Sequence, residues 1–214
     1  MRALRAAALA VLVTALPASA QVGRETLTGT QAVQLAQSAL TVIGIDPGPI
    51  DGAMGALTRA AITAHVEASG LEMGWDGRTI DQGQAMSLGV AAKPALTATF
   101  GYDIDGNYIH VGVAPYGSGA EGIAAVVGDI SNPPCSAAPR MVVRIDGLMV
   151  WEAHDTTTSD RPFVVVADPP VLQPLPRDGE WHPEAEPWLL QIVSEHVIAF
   201  RQEGDDYVYV RCVP

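Results

Sequence analysis

Asp46-Pro47-Gly48-Pro49-Ile50-Asp51-Gly52 is a tight loop punctuated by proline and glycine, and the runs on either side of it are helical. Upstream, Val33, Ala36, Leu40 and Ile43 recur at three- and four-residue steps, which puts them on one helix face. Thr28 and Gln31 have capping-box spacing at the start of that helix, and Gly44 stands where a left-handed closing residue belongs. Downstream, a second helical run covers about Leu57 to Ala68 and stops at Gly70. Ala61, Ile62, His65 and Val66 share its buried side.

Beyond a connector at 74–89 the pattern changes to strands. Leu96, Ala98, Phe100 and Tyr102 alternate with Thr97, Thr99 and Gly101, and Asp105-Gly106 reads as a two-residue hairpin turn into a strand at Tyr108 to Val113. Further strands are expected at Met141 to Ile145, Leu148 to Ala153, Phe163 to Val166, His196 to Gln202 and Tyr207 to Val213. A short helix is expected at Gly119 to Val127. Asp168 to Pro187 holds six prolines and reads as a long, partly extended surface loop. The expected fold class is α+β, with a small N-terminal helical module followed by a mainly antiparallel β sandwich or open barrel. The corresponding segments are 21–73 for the helical domain, 74–89 for the linker and 90–214 for the β-rich domain.

Residues 1–20 read as an address. Arg2 and Arg5 precede the apolar run Ala6 to Leu16, and Ala18-Ser19-Ala20 offers small residues for cleavage after Ala20. The apolar run is too short to span a bilayer, and no later window approaches the ~20 apolar residues a membrane helix needs. The expectation is therefore a periplasmic or secreted protein with no membrane span. The chain carries 12 Lys+Arg against 24 Asp+Glu, net charge -12, with no basic patch, which disfavours nucleic acid as a partner. Its 48 % hydrophobic residues allow a folded core.

Val33, Gln37, Leu40, Gly44, Gly48, Ile50, Asp51, Gly52, Gly55, Thr58, Ala61, Ile62, Gly70 and Leu71 stand at the spacings of the peptidoglycan-binding domain of bacterial cell-wall hydrolases. The segment resembles that three-helix family over residues 28–71. Departures are Ala36, Ile45 and Met54, all apolar exchanges, and His65-Val66 where the family has Phe-Gln. That last change puts an imidazole at an aromatic core position and removes an amide. The resemblance implies peptidoglycan as partner, held in a shallow groove of helix ends and loop, with Gln37, Asp51, Gly52 and Thr58 as binding residues. Each also has a structural reading. Asp51 can accept backbone N–H groups near Met54 and Gly55, Gly52 can take positive φ, Thr58 can cap locally, and Gln37 can bond a neighbouring backbone.

The second region offers no assignable catalytic residues. Glu152 with His154, and His182 with Glu184, have spacings that could combine around zinc, but a solvated polar strand face explains the first pair better. Asp103, Asp105 and Asn107 resemble part of a calcium loop, but its later glutamate is absent and the hairpin explains Asp105-Gly106. No Gly-x-Ser-x-Gly elbow is present. No cofactor and no metal are expected. The leading reading is an exported, non-catalytic peptidoglycan-binding protein whose β-rich domain contacts another envelope protein or a wall component. The alternatives are a wall hydrolase or amidase with an unrecognised site in 85–214, and a degenerate module used only for protein contacts.

Cys135 and Cys212 are the chain's two cysteines, and an oxidising compartment favours a disulfide over a catalytic thiol. Closing so long a loop would stabilise the fold by roughly 4 kcal/mol on the chain-entropy account. Thiol counting on the exported protein is expected to find no reactive thiol until reductant is added. Two reactive thiols before reduction would reopen Cys135 as a nucleophile.

Overall fold

The computed structural model describes residues 27–115, 117–128, 142–154, 157–158, 163–167, 170–175, 187–202 and 204–212. The leader read at 1–20 lies outside them. Helix α1 (Gly29–Ile43) opens on the expected capping box. The Thr28 hydroxyl accepts from the Gln31 N–H, the Gln31 side chain accepts from the Thr28 N–H, and Gly44 closes the helix at φ 90°. Helix α2 (Ala56–Ser69) ends at Gly70 in the same left-handed way.

A third helix, α3 (Gln82–Phe100), replaces much of the linker and the strand expected at 74–102. Asp81 and Gln84 form a second capping box, and Leu88, Ala92 and Leu96 are buried at four-residue steps. The two-residue alternation in Leu96 to Tyr102 comes from small and Thr positions that the helix leaves partly or fully exposed. The Thr99 hydroxyl donates to the Ala95 carbonyl, an i−4 bond that a helix accommodates. The 89/90 boundary therefore falls inside a helix. Asp105-Gly106 joins α3 to a strand rather than turning a hairpin.

The remaining elements are β1 (Gly106–Ala114), α4 (Gly119–Val127), β2 (Val142–Asp146), β3 (Met149–His154), β4 (Thr157–Thr158), β5 (Phe163–Ala167), β6 (Pro170–Pro174), β7 (Trp188–Ser194), β8 (Val197–Gln202) and β9 (Asp205–Arg211). Strand order is β2-β1-β9-β8-β7-β6-β5-β3-β4, and β2 also pairs with β3. These pairings are all antiparallel. Eight strands thus close into a barrel, with the two-residue β4 adding to the end of β3. This corrects the sandwich or open barrel: β1 is hydrogen-bonded to β2 on one side and β9 on the other, so the ring has no free edge there. Strand β6 lies within the stretch read as a loop. Its prolines stand at its first and last positions, where a missing N–H is tolerated.

Register sorts the two barrel faces. Ile198 opposite Tyr209, Leu190 opposite Phe200, Val165 opposite Leu172 and Ile145 opposite Val150 are all buried pairs on one face. Phe163, Trp188, Phe200, Tyr209 and His110 follow one another there with ring centroids 4.5–6.4 Å apart. On the other face Ala199 and Val208 lie under Ile123 of α4. A bulge between His110 and Gly112 adjusts β1 there, and a Cβ on Gly112 would sit 2.8 Å from Val126, so glycine lets the helix come this close.

The helices and the barrel share one continuous core, from Leu35, Ile62 and Leu88 to Met149, Val164 and Phe200. Two polar centres fix the seam. The Asp105 carboxylate pairs with Lys93 of α3 and accepts the Gly147 N–H at 2.8 Å. The hydrogen bond to Asp105 raises the Lys93 pKa against the opposing effect of burial. Arg211 donates to the carbonyls of Asp103 and Asp105 and to the Tyr108 hydroxyl, which itself donates to the Ile104 carbonyl. Burial pushes the Tyr108 phenol pKa up.

Gly147 turns the β2–β3 hairpin at φ 62°, and a Cβ there would lie 3.1 Å from the Gly89 carbonyl oxygen. Gly147→Ala combines left-handed strain with that backbone contact. It is expected to destabilise the protein by about 2 kcal/mol, read as a lower urea midpoint at unchanged slope.

Candidate functional site

The loop between α1 and α2 is organised from beneath by one carboxamide. Gln37 lies on α1 and is 1 % exposed. Its Nε2 donates to Asp51 Oδ1 (3.1 Å), the Ala53 carbonyl (3.2 Å) and Thr58 Oγ1 (3.3 Å), and its Oε1 accepts the Gly52 N–H (2.9 Å). Thr58, 2 % exposed near the start of α2, donates its hydroxyl to the Pro47 carbonyl at 3.0 Å. These contacts tie both limbs of the loop and both helices to a single buried point.

Local turns finish the loop. The Ala53 N–H donates to Asp51 Oδ1 at 2.8 Å, and the Gly48 N–H to Asp46 Oδ1 at 2.9 Å. Gly52 has φ 76°, and a Cβ there would collide with Thr30 Cγ2 and lie 3.1 Å from the Thr30 carbonyl oxygen. Glycine is therefore required twice, for conformation and for close approach to α1. Arg59 donates to the Met54 carbonyl at 2.6 Å and anchors the far end.

The four binding residues named by the resemblance are brought together, but they divide by accessibility. Gln37 and Thr58 are inside, with their polar atoms engaged by the loop. Gly52 is half-buried, and Asp51 is exposed. Asp46, Pro49, Ala53, Ala56 and Leu57 of the loop and the start of α2 are also exposed, the last 62 %. Gly55 gives the α2 N-terminus no side-chain cap. His65 is buried on the inner side of α2, at the core position its place in the pattern implies. The exposed rim of the loop offers carboxylate and backbone hydrogen-bonding groups and apolar surface.

The Asp105 carboxylate, one limb of the calcium-loop pattern, is engaged by Lys93 and the Gly147 N–H. No group of three or more His, Cys, Asp and Glu able to hold a metal occurs among the described residues. Glu152 and His154 both stand on β3, whereas His182 and Glu184 lie outside the described residues. Cys212 is disulfide-bonded and buried, with its N–H donating to the Asn107 carbonyl; Cys135 lies outside the described residues. Sequence reasoning missed the fully buried Asp206, which accepts from Arg201 at 2.8 and 3.0 Å and from Gln191 at 2.9 Å. Its partners come from two neighbouring strands, and only the register brings the three residues together.

The architecture is that of a mixed α+β protein in which helices lie against a closed eight-stranded antiparallel barrel. No protein-family model, curated protein or solved structure matches this chain. Among the described residues no helix is long and apolar enough to cross a membrane.

Gln37→Ala removes the central donor and acceptor of the loop and leaves a buried gap. It is expected to cost about 3 kcal/mol in thermal or urea unfolding and to raise amide exchange across residues 46–55. Hydrogen bonds from the Ala53 N–H, and less strongly from Gln37, lower the Asp51 pKa from 3.8, with desolvation opposing them. A depressed folded-state pKa gives stability that is complete above the unfolded value and lost as pH falls through the folded one. The loop should therefore loosen below about pH 4, and Asp51→Asn should flatten that part of the stability–pH curve.

Proposed function

We propose that this chain is an exported, non-catalytic peptidoglycan-binding protein that holds its β-barrel at the bacterial cell wall, where the barrel meets another envelope protein. The observation that carries the reading is the Gln37-centred clamp. It holds Ile50-Asp51-Gly52 in a fixed turn between α1 and α2 and leaves Asp51 and Leu57 on an exposed rim. The third helix packed beside α1 is α3, which lies beyond residues 28–71 where the resemblance runs. Peptidoglycan is itself carboxylate-bearing and the protein is acidic, so binding rests on short-range hydrogen bonds and apolar contact at the rim rather than on long-range attraction. A shallow site of this kind gives weak single-module affinity.

The test is co-sedimentation of the whole mature chain with insoluble peptidoglycan at low and high salt. The whole chain is needed because the helices share their core with the barrel. Pelleting that changes little with salt is the expected result, weakened about tenfold by Leu57→Glu, a surface change that leaves the clamp intact. Complete retention in the supernatant at both salt levels would reduce the helical unit to a protein-contact surface. Release of soluble muropeptides would instead make the protein a wall hydrolase.

A further inference from the structure

We draw no further inference here: the strongest candidate, the fully buried Gln34 carboxamide and Ser38 hydroxyl on α1, which make no hydrogen bond, lies behind the Gly52 turn without access from solvent, and nothing in the structure shows what polar group would meet it.

Discussion

Ring closure through β1 is the constraint on which the remaining architecture depends. This strand must find ladder partners in β2 and in β9, and Tyr108 and Arg211, which face each other across the second of these pairings, are 103 positions apart. Antiparallel neighbours elsewhere in the ring are mostly joined locally, so the β1–β9 ladder is the contact that costs most in chain entropy. It is also heavily reinforced. Arg211 reaches back from β9 to two carbonyls on the segment that leads into β1 and to the Tyr108 phenol, and its guanidinium lies 5.5 Å from the Tyr108 ring centroid. The disulfide-bonded Cys212 follows directly and bonds Asn107 through its backbone.

That closure also positions the helices. The segment Asp103 to Asp105 runs straight from α3 into β1, so whatever fixes the start of β1 fixes the end of α3. Asp105 couples the two by taking an ammonium from α3 and a backbone N–H from the β2–β3 turn. Both charged partners are partly solvated, so the charge pairing itself adds modest stability. The geometric consequence is larger, because the hairpin approaches α3 so closely that a side chain at Gly147 would press on the Gly89 carbonyl. With α3 seated, Leu35 of α1 packs beside Gly89, and the helical layer joins the barrel core.

Features that rest on neighbours in sequence are legible. Thr28 with Gln31, Gly44, Gly70, the loop at 46–52 and most barrel strands carry local signals, and these elements form where their residues indicate. The α3 segment misleads because Leu96, Ala98, Phe100 and Tyr102 alternate with Thr97, Thr99 and Gly101, while its capping box at Asp81 and Gln84 sits within a stretch rich in Gly and Asp. Strand β6 is hidden by its own terminal prolines. Barrel closure has no sequence signal at all, since any strand pattern with one buried face fits a sandwich equally well. At the candidate site, the pattern places Gln37, Asp51, Gly52 and Thr58 together but is silent on which are accessible, because that depends on how tightly the loop lies over α1.

The depth of Gln37 decides its physical role. A buried carboxamide with its donor and acceptor sides engaged is held by the loop's own backbone, so its first role is to make the turn unique rather than to meet a ligand. Substitution there would act on the exposed surface only through the shape of the loop. Asp51 is different, since its Oδ1 serves the turn while the side chain remains exposed. On the exposed side of the loop, the Asp51 carboxylate is held low in pKa by its hydrogen bonds, and Leu57 is exposed at the start of α2. Under the proposed binding role, selectivity would rest on a rigid backbone outline more than on charge, and that rigidity comes from the buried amide beneath the loop.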